Sequence, residues 1–302
     1  MPLMSVIVAT YAMQREAPRT ILSLLPPLQR QADIDYEIVV VDNGSPEPLN
    51  IDDVVARAER PVRLVRVDPA RAVPAPGKCI NDAAREIARG DWLVVCIDGA
   101  RLASSHLIRR AADTLGSYPT AFAFVGSRHL GAAPQMQSTK DGYDQAAEDK
   151  LLAKADWTSE LDNLYPVSVW AGAHDWRDPV IQNETNAFAV RRELWESVGG
   201  YDERFASPGG GLCNLELYER YVHRANALNV LLHGESTFHQ VHNGVATSHD
   251  GYFRAGASEY AAVIGREYVR PSYPFLADLG HQYGRMQAVG EYLRAPMPAR
   301  RS

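Results

Sequence analysis

Two hydrophobic periods alternate through the first hundred residues. The runs SVIVATY (5–11), YEIVVVD (36–42), VRLVRV (62–67) and DWLVVCID (91–98) are short, rich in β-branched residues and closed by polar or turn residues. Continuous apolar runs of this kind predict strands buried on both faces. Between them, 15–32, 51–59 and 77–89 carry apolar positions at helical spacing. Strands alternating with helices predict an α/β fold built on a parallel sheet with crossover helices. Ligands of such sheets bind at the carboxyl ends of the strands. Thr10, Asp42 and Asp98 all fall at such ends.

A further helix is expected over 104–116, opened by Ser104 or Ser105 as N-cap, and then a strand AFAFVG (121–126). From 129 to 182 the periodicity fades in a stretch rich in Gly, Pro, Asp, Gln and Trp, with one helix expected near 145–155 and long loops of the kind that bind ligands. Regular structure resumes with a strand TNAFAV (185–190), helices over 191–198 and 214–226, a strand NVLLH (229–233) and a helix near 256–267. Pro271, Pro274, Pro296 and Pro298 predict a loose, partly helical tail.

Composition narrows the function. The chain of 302 residues is 46% hydrophobic and 23% charged, enough for one large or two small domains. Its net charge of -6 leaves no basic field for nucleic acid or anionic lipid. Cys79, Cys96 and Cys213 lack metal-type spacing, and no run approaches the roughly 18 apolar residues of a membrane span. The N-terminus has no basic segment followed by an apolar one. A cytoplasmic protein without an integral membrane segment is expected.

The order of the parts adds more than any one of them. A first strand ending in Ala-Thr-Tyr, a second ending in VVVDNGS, the helix GKCINDAAREIARGDW entering the fourth strand, and that strand ending at Asp98 resemble the nucleotide-binding half of family 2 glycosyltransferases of the GT-A fold. NAFAVRRELWESVGGYDERF resembles the family's acceptor-side segment, so the likeness runs over roughly residues 4–250. It implies a Rossmann-like, mostly parallel sheet flanked by helices, with an irregular acceptor-side segment and a helical tail. Residues 1–128 would hold a nucleotide-diphospho-sugar, 129–267 would carry acceptor binding and catalysis in the same domain, and the tail 268–302 offers a contact for a homodimer. On this resemblance Thr10, Tyr11 and Asp42 hold the nucleoside, Arg71 and Lys78 stand near its phosphates, Arg15 is a further candidate, and Asp98 with Gly99 completes the donor set. Each has a plainer reading: Asp42 as the cap of an Asn-Gly turn, the basic residues as solvated charge.

The family usually closes the fourth strand with more than one aspartate to help bind a divalent cation on the diphosphate. Here Asp98 is followed by Gly99, Ala100 and Arg101. Mn²⁺ or Mg²⁺ takes about six ligands, most of which phosphates and water can supply, so the protein needs few. The second ligand is expected from TFHQVHNG, with His242 matched to the family's late histidine and His239 as the other choice. The family's general base commonly comes from a Glu-Asp pair at a helix start, followed by a further acid and an arginine. In CNLELYER, Cys213 and Asn214 replace the pair, while Glu216 and Arg220 keep the rest. Asparagine cannot take a proton, so Glu216 becomes the candidate base and Glu184 the second. Glu216 and Arg220 also suit a helical ion pair. Trp157, Trp170 and Trp176 could stack on a sugar or pack in a core.

The expectation is therefore an inverting, metal-dependent glycosyltransferase that uses a UDP-sugar and a saccharide, lipid-linked or small-molecule hydroxyl acceptor. The alternative is a non-catalytic nucleotide-sugar-binding or scaffold protein on the same fold. A nucleotidyltransferase would show a glycine-rich loop after the first strand, and VATYAMQREAP has no glycine.

Overall fold

The computed structural model describes residues 2–30, 33–171, 186–224, 226–242, 244, 251–269 and 276–278. Every residue of β1 (Met4–Thr10), β2 (Tyr36–Asp42) and β4 (Trp92–Cys96) is buried, which is why these runs are apolar without alternation. β1 lies between β2 and β4, parallel to both, and β3 (Val62–Arg66) is parallel to β2. Thr10 is in register with Asp42, so the carboxyl ends share one rim.

The sheet continues beyond β4. β8 (Ala187–Arg191) runs antiparallel to β4 and to β6 (Ala121–Leu130), and β9 (Leu228–His239) is parallel to β6. β10 (Leu276–Asp278) pairs with β9, β7 (Ser168–Trp170) with β6, and β5 (Arg101–Ala103) with the far end of β9. One face is covered by α1 (Glu16–Ser23) and α4 (Leu107–Ser117), packed on Val6, Val8, Ile38 and Val40. α3 (Gly77–Asp82), α7 (Arg192–Val198) and α8 (Cys213–Val222) cover the other, against Ile7, Val39 and Val41. α2 (Asp52–Val55), α5 (Gln135–Ser138), α6 (Gln145–Ala155) and α9 (Tyr252–Ile264) complete the α-helices among the described residues. None is long and apolar enough to cross a membrane.

Several boundaries differ from expectation for identifiable reasons. The helix expected over 15–32 ends at Ser23, because Pro26 and Pro27 cannot continue it. α2 is only four residues long and buries none of them, so no packing extends it. The helix expected from 104 starts at Leu107, after a turn over 104–106 that follows β5. NVLLH is the first part of a twelve-residue strand whose second part, through GESTFH, is polar yet buried. Ser104 explains part of this: its hydroxyl donates to Glu235 Oε2 at 2.5 Å and accepts from the Ser236 amide at 3.0 Å. Trp157 and Trp170 are buried, Trp157 in a cluster with Leu152, Leu161 and Phe238 and Trp170 beneath the Arg128 guanidinium at 4.6 Å. They belong to the core, while Trp176 lies outside the described residues.

Glu37 ties the start of the sheet together. Its buried carboxylate accepts from Ser5 Oγ at 2.9 Å and from the Arg89 amide, Nε and Nη2 at 2.8, 3.0 and 2.7 Å. Burial opposes its charge, but the Arg89 and Ser5 hydrogen bonds win and hold the carboxyl below its ordinary value of 4.5. A depressed carboxyl stabilises the fold above its unfolded pKa and loses that stabilisation as pH falls through the folded one. Glu37→Gln is expected to lower the urea midpoint near neutral pH and to flatten its fall towards about pH 3. Urea titrations of both proteins across that range check it.

Candidate functional site

Beyond β4 the chain passes very close to the end of β1. The Gly99 amide donates to the Ala9 carbonyl at 2.7 Å, and a Cβ at Gly99 would meet Thr10 Cγ2 at 2.5 Å, so only glycine fits. Asp98 then caps the turn, its Oδ1 accepting from the Ala100 amide at 2.9 Å. The chain returns as β5, which places Arg101 opposite His239 on β9. Asp98 Oδ2 thereby comes within 3.0 Å of His239 Nε2 and 3.8 Å of His242 Nε2, and the two imidazole nitrogens are 3.1 Å apart. These three ligand atoms all lie within 4.8 Å of one another. Asp98 is both a turn residue and a potential ligand, through different oxygens.

Gln135 decides which imidazole nitrogen carries the proton. Its side-chain amide nitrogen donates to the His239 carbonyl at 2.9 Å, so its oxygen faces His239 Nδ1 at 2.5 Å and requires a hydrogen there. Burial, aided by the Arg101 charge, pushes His239 down to about 4, so the ring is neutral at pH 7. A neutral ring protonated on Nδ1 turns its Nε2 lone pair towards the Asp98 carboxylate. The Arg101 guanidinium lies beside the same carboxylate, its Nε 3.2 Å from Oδ2. A lone pair facing a carboxylate at 3.0 Å has no hydrogen between, and a cation shared with His242 satisfies all three. One carboxylate and two imidazoles suit a divalent ion such as Mn²⁺. Asp98 and His242 keep 18% and 12% side-chain exposure, so the cluster opens to solvent on one side.

His242 follows Val241, and Val241 is gripped by both of its backbone groups. Arg15 Nη1 donates to the Val241 carbonyl at 2.9 Å, while Glu148 Oε2 on α6 accepts from its amide at 2.9 Å. Arg15 also meets Glu16, Glu148 and Asp149 at 2.6, 2.9 and 3.0 Å. The structure thus engages Arg15 in a strut between α1, α6 and the histidine loop.

The other expected residues lie around the same rim. Thr10 is buried and donates to the Val41 carbonyl at 3.2 Å, while Tyr11 is 54% exposed beside it. Asp42 is fully buried: Oδ1 accepts from the Ser45 amide and hydroxyl at 3.0 and 2.5 Å, and Oδ2 from the Leu49 amide at 3.1 Å. Its carboxylate shapes the 43–49 loop. Arg71 is exposed, in a loop after β3 that packs on Gly44 through Ala72. Lys78 pairs with Asp82 at 2.8 Å and lies 3.8 Å from Glu203. Glu216 is buried on α8, and Arg220 donates to both its oxygens, Nε to Oε1 at 2.5 Å and Nη2 to Oε2 at 2.7 Å, while also binding the Val198 and Gly200 carbonyls. Glu184 lies outside the described residues.

Gln135, Arg101 and Glu148 joined the site without any sequence signal. Gln135 and Glu148 fall where hydrophobic periodicity is weak, and Arg101 sits in a three-residue strand recognisable only from its partner.

No family model and no curated protein matches the chain. Among solved structures it is similar to S. aureus TarS 1-349 in complex with UDP-GlcNAc, with a TM-score of 0.53 and 14% identity over 96% of this chain and 71% of that one. It is also similar to GalNAc-T7 with UDP, GalNAc and Mn²⁺, with a TM-score of 0.53 and 14% identity over 87% of this chain and 48% of that one. It spans 43% of the length of the longer TarS structure. At such identities the likeness shows the fold: a mixed α/β structure of GT-A type, with the mostly parallel sheet and flanking helices that the sequence led us to expect.

His239 is expected as the Nδ1–H tautomer in long-range nitrogen–proton correlation spectra near neutral pH. In Gln135→Leu, which removes the acceptor, that tautomer should give way to a mixture. A wild-type ring protonated on Nε2 would contradict the assignment.

Proposed function

We propose that this chain is a glycosyltransferase that moves a sugar from a nucleoside-diphosphate donor, UDP first among them, to a hydroxyl acceptor with inversion. The observation that carries the reading is the convergence of Asp98, His239 and His242 at the carboxyl rim of a GT-A-type sheet. Asp98 Oδ2, His239 Nε2 and His242 Nε2 would hold a divalent cation, with imidazole favouring Mn²⁺ over Mg²⁺. Bound there, the ion supplies positive charge for the departing diphosphate.

The protein's own groups do the rest. The exposed Tyr11 ring and the loop shaped by Asp42 offer the nucleoside a surface beside Thr10, and Gly99 lets the chain pass close beneath it. Arg71 and Lys78 are proposed for the phosphates, although Lys78 must then part from Asp82. Glu216 and Glu184 remain the carboxylates proposed for deprotonating the acceptor. Glu216 can act only if Arg220 yields one of its oxygens. Residues 129–267 are the proposed acceptor side, for a saccharide, lipid-linked or small-molecule hydroxyl, and the tail is the proposed dimer contact.

A second reading, nucleotide-sugar binding without turnover, rests on α8. Asn214 stands where the resemblance expects an acid, and the neighbouring Glu216 is locked to Arg220.

Calorimetric titration of UDP with and without Mn²⁺ tests the main reading. Mn²⁺ is expected to be required, and Asp98→Ala and His242→Ala should each weaken binding about 10- to 100-fold. UDP binding that ignores Mn²⁺ and both substitutions would overturn the metal-dependent mechanism. Donor hydrolysis in the same samples separates an enzyme from a binding protein. For α8, Glu216→Ala leaves a part-buried arginine without its carboxylate and is expected to cost about 2–4 kcal/mol in urea unfolding.

A further inference from the structure

The cluster already holds a positive charge. Arg101 is 9% exposed, and its Nε lies 3.2 Å from Asp98 Oδ2, the oxygen that faces both histidines. It is fixed from two sides, by the pairing of β5 with β9 and by Nη1 donating to Ser127 Oγ on β6 at 2.7 Å. A guanidinium stays protonated at any pH the protein survives. Asp98 is the only carboxylate among the three ligands, and Arg101 stands against it before any metal arrives.

A divalent cation entering alone would therefore place uncompensated charge in a part-buried pocket beside a fixed guanidinium. That arrangement is costly where water screens poorly. A diphosphate removes the cost, because its oxygens both ligate the ion and supply the missing negative charge. We propose that Arg101 couples the two ligands: it keeps Asp98, His239 and His242 from retaining a divalent cation until a nucleoside diphosphate is present. The inference rests on the metal-dependent reading above. It assigns to Arg101, two residues past Gly99, a role opposite to that of the further aspartates the resemblance led us to look for in this stretch.

Coupling of this kind is reciprocal, so the factor by which UDP tightens Mn²⁺ equals the factor by which Mn²⁺ tightens UDP. The test measures Mn²⁺ binding alone, by loss of the free-ion electron paramagnetic resonance signal, and again with saturating UDP. Wild type is compared with Arg101→Gln and Arg101→Lys. Wild type is expected to bind Mn²⁺ about 100-fold more tightly with UDP than without. Arg101→Gln should tighten Mn²⁺ alone by about tenfold or more and shrink the coupling by the same factor. Arg101→Lys keeps the charge and should keep the coupling, which also separates charge from loss of fold. Coupling unchanged in Arg101→Gln, or Mn²⁺ alone bound more weakly by it while Arg101→Lys stays like wild type, overturns the inference and leaves the functional reading intact. Wild-type UDP binding that ignores Mn²⁺ overturns the reading itself.

Discussion

A short antiparallel pairing holds the candidate site together. The backbone from Ala100 to Ser104 lies along the far end of β9: the Gln240 amide donates to the Ala100 carbonyl at 2.8 Å, Arg101 to Ala103 pair with His239 to Thr237, and the Ser104 amide donates to the Ser236 carbonyl at 3.0 Å. That ladder sets the turn after β4 directly against the end of β9, two strands that the sheet otherwise joins only through β8 and β6. With it, an aspartate and two histidines distant in sequence bring their ligand atoms within 4.8 Å of one another. The same ladder accounts for Ala100. Its side chain is fully buried as the chain turns into β5, and a carboxylate there would have to be desolvated.

The cost of this arrangement is polar burial in β9. Glu235, Ser236, Thr237, His239 and Gln240 are all buried, on a strand whose first half is apolar. Such groups are tolerated when each finds a partner. Ser104 serves Glu235 and the Ser236 amide, Gln135 serves both ends of His239, and Gln240 donates to the Glu16 carbonyl at 3.2 Å. The result is a strand that reads as a loop in sequence. It carries the site because Glu235, the Ser236 amide, both ends of His239 and the Gln240 side-chain nitrogen are committed to particular partners.

That explains what the sequence revealed and what it hid. β1, β2 and β4 were legible because burial on both faces leaves a continuous apolar signal. α6 was legible to the residue, opened by Asp144 capping the Ala147 amide. β5 and β7, at three residues each, are shorter than any periodic pattern. Asp98, His239 and His242 could be proposed together only through a family resemblance, since nothing local says which histidine of a loop meets which strand end. Arg15 shows the limit for charges. A basic residue just after a first strand looks the same whether it meets a phosphate or a carboxylate, and two of the three carboxylates it meets, Glu148 and Asp149, are 133 and 134 positions away.

The three ligand atoms are held with unequal rigidity, and that order decides which parts of the protein govern the site. Asp98 is placed by the turn it caps, so moving Oδ2 means breaking the Oδ1 bond to Ala100. His239 is fixed by strand pairing and by a glutamine that binds both its ring and its backbone. His242 lies beyond the strand, and the strut formed by Arg15 and Glu148 grips its neighbour Val241. A binding constellation is only as accurate as its least supported member. Hence α1 and α6, which touch none of the three side chains directly through this strut, set the position of the third. The contacts of Arg15 are therefore as much a part of the site's geometry as the histidines themselves.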